Sequence, residues 1–473
     1  MKPNIFCLSI DSLTRDKCLG KSKTSVTPNL DKLIQNGTFF NQIFSTAPVT
    51  MPSLSSIFTG LYPFECTTID DMRDQKGNLF NLNQNLPTFS DDLRKSGYNT
   101  YAIIPEVLRN TNFSKLFGNI EFFNSFVTLY DENLGNKILN KLRQDVESPW
   151  FLFTHIDDLH GGYLQMMHEE NYPGSNQYDK MLSAIDPWLG KIFQCIDLEN
   201  TICVITSDHG SILADFTNEM NKFWLENDRL RGLEPGIGFN SAHKIVTNFP
   251  KKLTPLRKKM AKIYTKYRYD KVKKKLEPHA ENLNLSPYQE RLIKKVHFVN
   301  PSDCFDEGFR STLILLGPNL PSGKIISKQI SSIDIFPTIL DLVKIPTKIN
   351  HRGKSLVPLF SNTKNDERVV MIDSASDGTQ EQSSNTIGLR TEQYKYFRDR
   401  FSDSKDVHLY DLENDPFELS NISEQNPDII ENLEGKLLQI NPTGNFGFKK
   451  DQEFSDEEAK KIENDLKKLG YIN

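Results

Sequence analysis

Four short runs of this chain, "NIFCLSID", "WFLFTHID", "TICVITSD" and "STLILLG", are apolar almost without interruption, and three of them stop on an aspartate. A strand with one face in water alternates apolar and polar side chains, whereas a strand covered on both faces has no need to. With "NTYAII", these runs alternate with helical patterns, which predicts an α/β fold whose mostly parallel sheet is covered by helices. One helix reads in detail from "TPNLDKLIQNG". Thr27 is placed as its N-cap, Pro28 at the first helical position, Leu30, Leu33 and Ile34 on one face, and Gly37 as the stop. In open α/β sheets ligands gather at the carboxyl ends of the strands, so the strand-end residues Asp11, Asp157 and Asp208 are expected around one site.

A length of 473 residues with 37% hydrophobic content suits a large α/β domain with a smaller partner. The expected division is a catalytic-type α/β domain over residues 1–365 and a small sheet-and-helix subdomain over residues 366–473. From about Val369 the runs "VVMID", "NTIGLRTEQYKYFRD" and "DVHLYDLENDP" read as short antiparallel strands with Asn, Asp and Pro turns, and "SDEEAKKIENDLKKLG" as a capped helix. The net charge of -5 argues against a protein that coats nucleic acid. Six scattered cysteines without CxxC spacing argue against a disulfide framework or a zinc-thiolate site. No signal-like N-terminus and no apolar stretch of roughly 18 residues is present, so a soluble, cytoplasmic protein is the expectation.

One insertion, over about residues 245–300, breaks the rhythm. Within it, Lys251 to Lys275 sets twelve lysines and arginines against a single acid, Asp270, while Leu253, Leu256, Met260, Ile263, Tyr264 and Tyr267 recur at helical spacing. This predicts a basic amphipathic helix. Its two readings are a solvated excursion packed on the main domain and a contact surface for an anionic substrate or peripheral membrane headgroups.

Three stretches concentrate side chains suited to chemistry. "ITSDHG" places an acid and an imidazole side by side after a buried strand, a pairing that suits a divalent cation bound by oxygen and nitrogen. "WFLFTHIDDLHGGY" brings His155, Asp157, Asp158 and His160 into one strand exit, a density that packing does not require. "APVTMPSLSSIFTGLYP" sets Thr50 between Pro48 and Pro52, directly ahead of the apolar helical run Leu54, Ile57, Phe58, Leu61.

Taken in order and spacing, "LSIDSL", "TPNLDKLIQNGTFFNQIFSTAP", "TMPSLSSIFTGLYP", "WFLFTHIDDLHGGY", "ITSDHG", the "FDEGFRSTLILLGPNLPSG" block, "RGKSLVPLF", "LRTEQYKYF" and "HLYDLENDPFELSNIS" resemble the successive blocks of the sulfatase family, within the alkaline phosphatase superfamily. The likeness runs from about residue 3 to about residue 425, with its main interruption over roughly residues 215 to 300. It implies a three-layer α/β fold with a small C-terminal antiparallel sheet. It also implies a divalent metal, manganese, zinc, calcium or magnesium, as one ion or two, at the carboxyl edge of the main sheet. Metal-ligand roles carry over to Asp11, Thr50, Asp208 and His209, and Asp157, with His160 and a later histidine such as His297, is a candidate for a second ion. Contact with the oxygens of an anionic ester carries over to His160, and to His243 with Lys244 in "NSAHKI" or His297 in "KKVHFV".

The departures from the family pattern direct the functional reading. Sulfatases of this family carry Cys or Ser, any residue, Pro, any residue, Arg, and oxidise the first to formylglycine. Here the step reads Thr50-Met51-Pro52-Ser53-Leu54. A threonine β-carbon bears a methyl group and cannot become that aldehyde, and Leu54 stands where the arginine would. A hydroxyl activated beside a metal remains a competent nucleophile. Phosphate-processing branches of the superfamily resemble this chain in using threonine here. The resemblance therefore implies a metal-dependent hydrolase or transferase acting on phosphate monoesters or diesters, glycan- or lipid-linked, through a covalent Thr50 intermediate. The alternatives are a sulfatase that works without formylglycine and a catalytically inactive relative that only binds.

Overall fold

In the computed structural model, each of the five apolar runs forms a strand. The structure describes residues 2–70, 79–124, 128–130, 133–164, 171–223, 285–298, 304–361, 367–375, 386–447 and 449–450. Eight strands build the main sheet: β1 (Asn4–Ile10), β2 (Thr38–Phe40), β3 (Asn99–Pro105), β4 (Asn119–Phe123), β5 (Trp150–Ile156), β6 (Thr201–Thr206), β7 (Leu313–Leu316) and β8 (Lys324–Ile326). Their spatial order is β8-β2-β7-β6-β1-β5-β3-β4, and only β7 runs against its neighbours.

The continuous apolarity of the central strands follows from two separate cores. Phe6, Leu8 and Ile10 of β1, Leu152 and Ile156 of β5, and Cys203 and Ile205 of β6 face one layer, where α3 (Gln177–Gln194) and α1 (Pro28–Asn36) pack. The intervening side chains, Ile5, Cys7, Phe151, Phe153, Ile202 and Val204, face the other, where α2 (Thr50–Thr59) lies with Met51, Leu54, Ile57 and Phe58. Successive strand side chains point to opposite faces, so with both faces covered nearly every position is apolar until the carboxyl ends.

A second, antiparallel sheet follows, ordered β9 (Val370–Asp373), β10 (Thr386–Arg390), β11 (Tyr394–Asp399) and β12 (His408–Asp411). Helix α4 (Pro427–Ile440) covers it through Leu433 and Leu437. At the seam with the main domain, the turn Asp306–Gly308 meets this sheet through buried charge. The Asp306 carboxylate accepts from Arg390 Nε at 3.1 Å and from Lys395 Nζ at 2.7 Å. Glu418 accepts from the Asp306 backbone N–H at 2.8 Å and lies 2.9 Å from Lys395 Nζ.

Two local expectations change. Thr27 flanks α1 as expected, but its hydroxyl caps nothing there; the free N–H groups of Asn29 and Leu30 donate instead to the Asp186 carboxylate of α3. Thr50 is not ahead of its helix but its first residue, with Val49 as N-cap. All six cysteines are free thiols. Among the described residues no helix is long and apolar enough to cross a membrane. The basic stretch Lys251–Lys275 and the helix expected from Ser455 lie outside the described residues.

Candidate active site

Strand register decides which side chains meet. Ser9 pairs with both His155 and Thr206, so the next residues of the same parity, Asp11, Asp157 and Asp208, leave β1, β5 and β6 at one level. Parity also selects the face. Asp11 follows Ile5 and Cys7, Asp157 follows Phe151 and Phe153, and Asp208 follows Ile202 and Val204, all on the α2 side. The carboxylates and the first residue of α2 therefore converge without any long loop.

The Thr50 hydroxyl donates to Asp11 Oδ2 at 3.3 Å and stands 3.5 Å from His209 Nε2. Asp11 and Asp208 are fully buried and His209 nearly so. Asp11 Oδ1 accepts from Ser12 Oγ at 2.6 Å. Asp208 Oδ1 accepts from the Ser12 and His209 N–H groups at 3.1 and 2.9 Å, whereas its Oδ2 is buried with no hydrogen-bond partner. The Thr50 hydroxyl also sits at the N-terminal end of a ten-residue helix, where the backbone dipole favours negative charge.

His209 Nδ1 lies 2.8 Å from the Gly210 carbonyl. A carbonyl only accepts, so this contact puts the proton on Nδ1 and leaves the Nε2 lone pair of the neutral ring facing Thr50 and, at 3.4 Å, Asp208 Oδ2. Burial works against charging this ring, but attraction from Asp208 and Asp11 and the Gly210 contact outweigh it and raise its pKa. His155 goes the other way: burial pushes it down to about 4 despite the pull of Asp208. Gly210 is itself required, because a side chain there would meet the Glu307 carbonyl at 2.4 Å and that of Arg310 at 2.9 Å.

Only imidazoles, among the described residues, come within ion-pair distance of Asp11 and Asp208. Two buried carboxylates, an unpartnered carboxylate oxygen, an imidazole lone pair and a hydroxyl form a donor set that fits a divalent cation with mixed oxygen and nitrogen ligands. Asp11, Asp208 and His209 offer atoms within 4.8 Å of one another, and so do Asp11, His155 and Asp157.

Of the residues expected at the site, the structure brings Asp11, Thr50, Asp208, His209 and Asp157 to one place. His160 lies at the same strand exit, its N–H donating to the Asp157 carbonyl at 2.8 Å, but it belongs to neither donor group. Asp158 turns away to accept from the N–H groups of Leu129 and Tyr130, a loop-holding role. His297 is on the helix Pro287–Phe298, its side chain outside the described residues, as are His243 and Lys244 altogether. From the sequence, His155 counts among the ligand-type side chains of this strand exit but is not assigned to a metal. The available signal was its parity with Asp157, two residues on.

Leu54 is wholly buried in the α2-side core, so no cationic group approaches Thr50 from that position. Arylsulfatase K of Rattus norvegicus is 22% identical over 470 residues, 93% of this chain and 78% of that protein. The enzyme of that name from Homo sapiens is 37% identical over 136 residues, which is 27% of this chain and 25% of the relative. Among solved structures, the phosphonate monoester hydrolase of Agrobacterium radiobacter superposes with a TM-score of 0.58 at 16% identity, covering 94% of this chain and 96% of its own, a likeness of fold. A model of the N-sulphoglucosamine sulphohydrolase C-terminal region matches residues 301–442, and the sulfatase model matches residues 3–345. With most of its length matched by that model, the chain belongs to the sulfatase family.

Proposed function

We propose that this sulfatase-family hydrolase is metal-dependent and cleaves phosphate esters, with Thr50 as nucleophile. The observation that carries the reading is the Thr50 hydroxyl, 3.3 Å from Asp11 Oδ2 and 3.5 Å from His209 Nε2, above a Leu54 that is buried in the core. Asp11, Asp208 and His209 would hold the metal, whose chemistry is to lower the pKa of a nearby hydroxyl and offset charge on the transferring group. Thr50 Oγ1, oriented by Asp11 Oδ2, loses its proton to solvent and attacks phosphorus in line with the leaving oxygen. The Oγ1–P bond forms as the ester P–O bond breaks, and His160 supplies the proton that the departing oxygen takes up. Water, or an acceptor alcohol, then gives a proton to His160 as it attacks the phospho-threonine, and the Oγ1–P bond breaks to free Thr50, which regains its proton from solvent. The start of α2 favours the negative charge gathered there.

A second reading is sulfate-ester hydrolysis by the same residues without formylglycine, and the arylsulfatase K relatives favour it. The test is turnover of aryl phosphate diesters, aryl phosphates and aryl sulfates by the purified protein with manganese or zinc, with mass spectrometry of the peptide carrying Thr50 after acid quench. Phosphate turnover with a phosphorylated Thr50 is the expected result. Fast sulfate turnover with none on phosphates selects the second reading.

A further inference from the structure

Beside the group that faces Thr50 is a second set of inward-facing donors. His155, on β5, is 99% buried by its neighbours, with a relative exposure of 1%, and Asp11 and Asp157 are as deeply placed at 0% and 2%. The His155 ring is held from behind: Nδ1 lies 3.0 Å from the Ser9 hydroxyl of β1, its direct partner in the strand register. With Nδ1 so placed, Nε2 faces Asp157 Oδ1 at 3.5 Å and Asp11 Oδ2 at 3.8 Å.

Both separations exceed the roughly 2.7–3.2 Å of ordinary N–H···O hydrogen bonds. They suit atoms bridged by an ion instead: two ligands about 2.1 Å from one cation at tetrahedral angles stand roughly 3.4 Å apart. A metal-binding histidine usually has its far ring N–H held by an acceptor, and the Ser9 hydroxyl oxygen is placed to serve as one. Asp11 is common to this group and to the one that includes Asp208 and His209.

We infer that His155, Asp157 and Asp11 form a second divalent-cation site, joined to the first through the Asp11 carboxylate and oriented by Ser9. The inference rests on the metal-dependent reading above. It differs from a pairing of Asp157 with His160, since His160 belongs to neither donor group.

Elemental analysis after equilibrium dialysis of the full chain against zinc or manganese separates the two ideas. Wild type is expected to hold two ions per chain, and His155→Gln one, with an unchanged circular-dichroism spectrum. Ser9→Ala keeps every ligand and loses only the clamp, so it should still bind two, the weaker with an affinity reduced on the order of tenfold to a hundredfold. A wild-type content of one ion, or two in both wild type and His155→Gln, overturns the second site and leaves the first reading standing. A content of zero overturns both. If His155→Gln fails to fold, an unaltered affinity in Ser9→Ala is the result that counts against the assignment.

Discussion

Two of the places where the chain buries acidic groups treat them oppositely. At the seam with the small sheet, Asp306 is answered by Arg390 and Lys395, and Lys395 in turn by Glu418. At the edge of the main sheet, Asp11 and Asp208 meet only imidazoles among the described residues, and one Asp208 oxygen accepts nothing. A buried charge that lacks a counter-charge costs several kcal/mol, so a protein keeps one only where something else completes it. Burial alone thus does not separate a structural carboxylate from a functional one. The identity of its partner does.

The largest effect that would sharpen this contrast belongs to Thr50. Thr50→Ala should lower kcat on a small aryl ester by on the order of 10⁴-fold or more while leaving the urea midpoint in place; a rate within tenfold of wild type would remove Thr50 from the chemistry. Next comes the seam. Asp306→Ala leaves Arg390 and Lys395 buried without their main partner and should cost roughly 3–5 kcal/mol in urea unfolding. Asp208→Asn, equally buried, should not destabilise the metal-free protein, because it relieves like charge; a loss as large as that of Asp306→Ala would erase the distinction drawn here.

Metal should then stabilise one region selectively. At a free-ion concentration a hundred times Kd, zinc or manganese is expected to add about 2.7 kcal/mol to unfolding, and chelation to remove it. Asp208→Asn should abolish the increment, whereas Asp306→Ala should retain it. The smallest effect is acid sensitivity. Burial by itself would raise the Asp306 carboxyl, but Arg390, Lys395 and Arg310 override it and hold the group well below the usual carboxylate range. A carboxyl depressed on folding stabilises the native state above its unfolded value, about 3.9, and loses that contribution as pH falls toward the folded value. Thermal melts from pH 5 down to pH 3 should therefore slope less in Asp306→Asn than in wild type, and equal slopes would show that another group dominates.

Reading the sequence located the strands because burial on both faces makes them apolar throughout, a signal carried by each segment alone. It also placed Asp11, Thr50, Asp208 and His209 as one group, through the likeness to a family whose model spans residues 3–345. What escaped it depends on distant partners. The α1 N–H groups are satisfied by Asp186, about 157 positions away in sequence, and nothing near Thr27 signals that substitution. His155 gains its meaning only when β1 and β5 are laid in register, opposite Ser9. Asp158 and Asp157 are adjacent and chemically alike, yet alternation sends one into the Leu129–Tyr130 loop and the other toward His155.

Leu54 also bears on how such a protein changes over generations. Exchanging the threonine at 50 for a serine removes one methyl group at the start of a helix, a single-nucleotide step that ordinary mutation samples readily. Bringing an arginine to position 54 means placing a guanidinium where a side chain with 0% exposure now sits beside Ile57 and Phe58. Either change made first is unrewarded, the one lacking its supporting charge and the other disrupting the helix that carries Thr50. A chain with this buried Leu54 thus keeps a plain hydroxyl at position 50 more readily than it acquires the aldehyde and its arginine together.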